Sequence, residues 1–263
     1  MAILAKKAGC PFSFILLIMP LTALLFSSIT GENGLTLIYY KALFNSSSSS
    51  LFFVKPAIAV KNSALFGIVS MILALFLGLS AANFLARDGR TSSLWDAIIM
   101  LPLATSAVTL GFGYIITLNK PPLNLRDSIA LIPLAHTLIA FPFVVRCILP
   151  SLRLIPNSLG EAATLLGASP LKTYTKITLP LIRNSLFVAS IFAFAISMGE
   201  FGASSFIARP HTPTMPVAIF RFLSQPGGMN YGQAMAMSSI LMIVTCSSFW
   251  ILRKLEQPRS KQE

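Results

Sequence analysis

Apolar residues in this chain come in long unbroken runs, not at the spacing of a half-buried helix or strand. A helix needs roughly 20 mostly apolar residues to cross a bilayer core, and six stretches qualify, at about 8–31, 62–86, 97–118, 128–149, 184–208 and 231–252. The segments between them are mostly short and polar. The exception is 150–183, too polar to span yet clearly patterned. The expected fold is therefore all-α, a polytopic membrane bundle of about six transmembrane helices with one long cytoplasmic loop. Pro20, Pro102, Pro133 and Pro142 fall inside the runs, where proline bends or breaks a helix. Pro133 and Pro142 bracket His136, so the fourth span is expected to be irregular.

Composition sharpens this reading. Of 263 residues 55% are hydrophobic and 11% charged, against roughly 25% charged in a soluble domain. So few charges cannot cover a water-facing surface. The net charge of +12 fits a membrane protein whose cytoplasmic loops collect Lys and Arg, and no basic run interleaved with aromatics points to nucleic acid. With the N-terminus inside and the spans alternating, thirteen basic residues fall on the cytoplasmic side and seven outside. Both termini are then cytoplasmic. Lys6 and Lys7 give the first run a signal-peptide-like start, but the run is long and no small-residue cleavage pattern follows it. A retained span is expected. Ser46 to Ser50 make a low-complexity external loop. Cys10, Cys147 and Cys246 are far apart and show neither metal nor disulfide spacing.

The 150–183 loop carries the most information. Ser158 and Glu161 have capping-box spacing, and Ala162, Ala163, Leu165 and Leu166 continue a short helix. Gly167 is a natural stop. Ser169-Pro170 restarts the chain as N-cap and first helical residue, and an amphipathic helix is expected from about Leu171 to Leu179, interrupted by Pro180. Two readings stand at this level. One is a docking knob whose small residues let another backbone approach. The other is a hairpin lying on anionic lipid through Lys172 and Lys176.

Glu161-Ala162-Ala163, then Gly167, then Ile177, Leu179 and Pro180 fill the pattern E-A-A-x3-G-x9-I-x-L-P. This resembles the EAA loop of permease subunits of binding-protein-dependent ABC importers of the type I fold. The resemblance covers roughly residues 60–252. It implies that the helix after Glu161 is a coupling helix seated in a separate ATPase subunit. Closure of two such subunits on ATP then rocks the spans between inward-facing and outward-facing states. The implied partners are ABC ATPase subunits, a second permease copy or homologous chain, an extracytoplasmic solute-binding protein and lipid. ATP and Mg belong to the ATPase, and this chain is expected to bind no cofactor or metal and to be no enzyme. It has no G-x-x-x-x-G-K-[ST] run. The expected location is the cytoplasmic (inner) membrane. The expected layout is 1–61 for the first helix and external loop, 62–252 for the importer domain with the EAA loop at 158–180, and 253–263 for a cytoplasmic tail.

Candidates for the solute path or gate follow from intramembrane polarity. Glu200, between Gly199 and Gly202, is the one acid inside an expected span, and such a residue is a functional hypothesis with a partner to be named; Arg209 and Arg221 are the expected partners. His136 is a weaker candidate, because a lone histidine usually satisfies a neighbouring group. Thr105, Ser106 and Thr109, with Gly111 and Gly113, make the third span small and polar on one side, suited to packing or to the path. The third span through Pro122, the GEFGASSFIARP run and PTMPVAIFRFLSQPG resemble permeases for thiamine or ferric iron. Those commonly fuse two units in one chain; this chain has one. The alternative is an ion-gradient-driven secondary transporter, which would show paired inverted repeats and leaves the EAA-like loop unexplained.

Overall fold

The computed structural model describes residues 2–31, 34–45, 56–87, 92–119, 125–126 and 128–256. The serine run 46–50 and the end of the tail, 257–263, lie outside them. Among the described residues the chain is helical except for a two-residue antiparallel hairpin, β1 (Thr30–Gly31) with β2 (Gly34–Leu35). Helix α1 (Ala2–Ile29) leads into the hairpin and α2 (Ile38–Asn45) follows it. The long helices are α3 (Pro56–Ala86), α6 (Leu131–Arg153) and α13 (Gly228–Glu256). These three are long and apolar enough to span. Side chains of α1 are described from Ile15, and Ile15–Ile29 is a shorter apolar helix.

Two expected spans are broken. The third is α4 (Ser92–Ala104) and α5 (Ala107–Thr117), bent by 96° at Thr105-Ser106. Pro102 lies inside α4, and Ser106 has extended backbone at the N-cap of α5. The fifth is α10 (Arg183–Gly199), which stops at Glu200, followed by the short α11 (Ser204–Ile207). Glu200 therefore ends a helix and does not lie within one. The fourth span departs from expectation in the other direction: α6 is one helix that carries Pro133 in its first turn and Pro142 and Pro150 inside. Near its start α6 is tied to α3, because Ser70 Oγ donates to the Pro133 carbonyl at 3.1 Å, which also accepts from Thr137 Oγ1 at 2.6 Å. Between α11 and α13, α12 (Met215–Leu223) is held to α3 by the Met215 N–H donating to Ser63 Oγ at 2.7 Å.

The core is the contact of α3, α6 and α10. Ala74, Ala82, Val144, Val145, Ile148, Ala189 and Ala193 are buried there. Small residues set its spacing: a Cβ on Gly78 would collide with the Val144 side chain, so α3 and α6 touch backbone to side chain. Such close approach is how helices associate where lipid removes the hydrophobic drive. The opposite face of α3 exposes Leu65, Ile68, Ile72 and Phe76, spaced three and four apart. That unbroken apolar stripe suits contact with lipid. On the far side α1 and α2 pack on α13, and Ser28 Oγ hydrogen-bonds with Tyr40 Oη at 2.9 Å.

Candidate functional site: the coupling loop and the polar residues of the bundle

The loop after α6 folds into a helical finger. Helix α7 (Asn157–Leu165) starts from Pro156, which has extended backbone and no capping side chain. The capping box expected of Ser158 and Glu161 is not formed, because the helix starts two residues earlier, with Pro156 as N-cap, and places Ser158 inside its first turn. Its end matches expectation. Gly167 has φ +78°, its N–H bonds the Thr164 carbonyl at 2.9 Å, and the Ala168 N–H bonds the Ala163 carbonyl at 2.9 Å. This pair of bonds is a Schellman stop, which wants glycine at the left-handed position. Ser169 Oγ then accepts from the Lys172 N–H at 3.4 Å, with Pro170 opening α8 (Pro170–Thr173).

Pro180 does not interrupt the segment. A π-helical turn, Tyr174–Thr178, joins α8 to α9 (Leu179–Leu181), and the Leu179 N–H reaches back five residues to the Tyr174 carbonyl. The widened turn accommodates a residue that cannot donate at the next position. The chain bends by 69° into α10 only after Leu181. Asn83 Nδ2 donates to Tyr174 Oη at 2.7 Å, tying the finger to α3. Of the motif residues, Ala163 is buried, Ile177 and Leu179 are half-buried, and Glu161, Ala162, Gly167 and Pro180 are exposed. At the tip Leu165 and Leu166 are each 88% exposed and Leu171 74%.

The bundle's polar residues fall into two groups. His136, from the second turn of α6, and Glu200, at the end of α10, meet in the interior at 1% and 6% exposure. Glu200 caps α11: Oε1 accepts from the Ala203 N–H at 2.8 Å, and Oε2 accepts from the Ser204 N–H at 3.0 Å and the Ser204 hydroxyl at 2.8 Å. His136 Nε2 lies 2.7 Å from Ser204 Oγ and 3.3 Å from Glu200 Oε2, and Nδ1 lies 2.7 Å from Ser197 Oγ. The Ser204 hydroxyl has one proton, already given to Glu200, so Nε2 donates to Ser204. The partner of Glu200 is thus His136, with Ser204, and neither Arg209 nor Arg221. Those arginines lie beyond α11, whereas α6 brings His136 alongside the break.

The second group is exposed. Thr105 and Thr109 stand open at the α4–α5 bend, Thr105 Oγ1 donating to the Leu101 carbonyl at 2.9 Å, and Gly199 is open too. Gly202 is close-packed: a Cβ there would meet Ala107 Cβ at 2.8 Å, which seats the α10–α11 break on the start of α5. Two features escaped the sequence reading. Ser197 and Ser204 complete the His136–Glu200 cluster; their spacing of three and four residues from Glu200 was the available signal. Asp96 and Arg146 form an ion pair at 3.0 Å between α4 and α6; they are 50 residues apart, and no local spacing signals the pair.

The family model of binding-protein-dependent transport system inner membrane components matches residues 74–262. The chain belongs to that family. Among its relatives in this permease family, PhnV of Salmonella typhimurium, named for a 2-aminoethylphosphonate transport system, is 27% identical over 91% of this chain and 88% of its own length. The molybdenum transport system permease ModB of Haemophilus influenzae is 29% identical over 76% of this chain and 94% of that one. The sulfate transport system permease CysW of Synechococcus elongatus is 29% identical over 70% of each. A chain of the bacterial alginate ABC transporter has the same fold, with a TM-score of 0.76 at 17% identity, covering 98% of this chain and 95% of that one. As a permease of this family the chain is a transport subunit of the inner membrane.

Proposed function

We propose that the chain is the permease half of an ATP-driven importer. It pairs with a copy of itself or a homologous chain to enclose one path, and it docks the 157–181 finger into a separate ATPase. Solute comes from an extracytoplasmic binding protein. The observation that carries this reading is the tip of the finger, where Leu165, Leu166 and Leu171 stand exposed on a scaffold fixed by Gly167 and by the Asn83–Tyr174 bond. Burying a leucine is worth about 1.5–3 kcal/mol, so a partner groove that takes all three is a strong and rigid attachment. The finger continues into α10 across one bend, and a push on α7 reaches the α3–α6–α10 core directly. ATP and Mg act in the partner, with both termini of this chain on the cytoplasmic side.

The solute we propose is a small oxyanion. Relatives named for sulfate and 2-aminoethylphosphonate support this chemistry. So does the charge of the segments assigned outside, where Lys41, Lys55, Lys61, Lys120, Arg126, Arg209 and Arg221 face only Glu32 and Asp127; a basic mouth raises the local concentration of anions. Thiamine or ferric iron, the reading from segment resemblance, would draw on Glu200 as a cation contact. That carboxylate is already occupied by three donors and by His136.

The test is gentle purification of the tagged chain from its host, followed by reconstitution. A stoichiometric ATPase should co-purify, and ATP-dependent uptake should be competed by sulfate or 2-aminoethylphosphonate and not by thiamine. A chain that comes alone and moves solute on an ion gradient would replace this reading with the secondary transporter. Competition by thiamine would keep the importer and overturn the anion.

A further inference from the structure

The Asp96–Arg146 pair belongs to neither the finger nor the Glu200 cluster. Arg146 Nη2 donates to Asp96 Oδ2 at 3.0 Å, and the two side chains are 51% and 32% exposed. Helix α6 runs seven residues beyond Arg146, to Arg153, which donates to the Leu85 carbonyl near the end of α3. Arg146 is therefore about 10 Å deeper in the bundle than the level at which α3 and α6 end. A lipid-facing charge is costly, by about 2.5–3.5 kcal/mol at the bilayer centre and less toward a helix end, so an exposed pair on these two helices is better placed against water or protein. A protein surface closing over it would strip a half-hydrated ion pair of its water, which its attraction does not repay without further hydrogen bonds. Water fits better.

The pair is also loosely made. Asp96 Oδ1 is enclosed and has no hydrogen-bond partner, so the carboxylate holds the arginine through one oxygen. A guanidinium has five N–H donors in a fork suited to an oxyanion, and one of Arg146's is engaged among the described residues. Of the two groups, the arginine is the more exposed.

We propose that Arg146 lines a water-filled inner vestibule between the two permease units and is the contact by which an oxyanionic solute leaves toward the cytoplasm, with Asp96 holding the guanidinium when no anion is present. This rests on the reading of the chain as a permease for an anion.

The test has two arms, both on the complete transporter in proteoliposomes. In a background with Cys10, Cys147 and Cys246 replaced by Ser, Arg146→Cys is exposed to a membrane-impermeant anionic thiosulfonate in the absence of nucleotide. Phe76→Cys, on the lipid face of α3, is the control, and Phe143→Cys, one turn from Arg146 on α6, is a second reporter should Arg146→Cys fold poorly. The vestibule predicts reaction at 146 or 143 about tenfold faster or more than at 76, because the reactive thiolate needs water. Equal, slow reaction at all three would overturn it. In the uptake arm, Arg146→Gln should lose about tenfold or more, the worth of one charged hydrogen bond, with ATPase stimulation by the binding protein retained. Arg146→Lys should keep most uptake. Unchanged uptake in Arg146→Gln would overturn the anion contact. Labelling at 146 does not depend on which solute is carried, so a failure of the anion reading in the competition assay leaves the labelling result standing.

Discussion

Gly167 shows how one residue controls a surface. Its φ of +78° is required by the stop that ends α7, and nothing lies within 4 Å of where a Cβ would sit. A substitution there is penalised by backbone conformation alone, at about 1–2 kcal/mol for a residue with a Cβ. Gly167→Leu should therefore insert normally yet misdirect Leu165, Leu166 and Leu171, and uptake should fall with loss of the co-purifying ATPase. Gly167→Asn, which visits the left-handed region more readily, should retain part of both. Glu161 is exposed and makes no contact on which the fold depends, so Glu161→Lys should lower uptake at unchanged thermal stability. Normal uptake in both Gly167→Leu and Glu161→Lys would remove the finger from the mechanism.

At the scale of elements, the break between α10 and α11 is the informative feature. Helix ends leave unpaired N–H groups that need partners away from water. Glu200 supplies them to α11, and His136 with Ser197 and Ser204 completes the set. His136→Ala would leave the buried hydroxyls of Ser197 and Ser204 short of a partner, at a cost of about 1–3 kcal/mol each. A marked fall in the unfolding temperature in detergent is expected, with His136→Gln milder. If His136→Ala unfolds at the wild-type temperature, the cluster is not what holds the break. Gly78 makes the matching argument for packing. Gly78→Leu must push α3 from Val144, so the chain should insert but lose the α3–α6–α10 core, read as protease sensitivity of the inserted protein.

The whole molecule is a membrane bundle with unlike faces. Apolar residues of α3 are exposed along one face, the finger stands off one end, and a partly exposed charged pair joins α4 to α6. Fusing reporters to each end checks the arrangement: green fluorescent protein should fluoresce at both termini, and alkaline phosphatase should be inactive there. An active phosphatase fusion at the C-terminus would invert the topology and place the finger on the wrong side for an ATPase.

Much of this was legible in the sequence because lipid is a demanding solvent. It forces long apolar runs, and the spans at α3, α6 and α13 follow from run length alone. The finger was legible for a local reason: a glycine stop and a Ser-Pro start are decided within a few residues of chain, as Gly167 and Ser169 show. Run length could not tell a straight span from a broken one. Pro142 stays inside a continuous helix, whereas the third span turns at Thr105-Ser106 and the fifth stops at Glu200. Nor could it choose Glu200's partner, since Arg209 is near in sequence and His136 is near in space. Where a buried charge finds its counterpart depends on which helices lie side by side, and only the tertiary structure decides that.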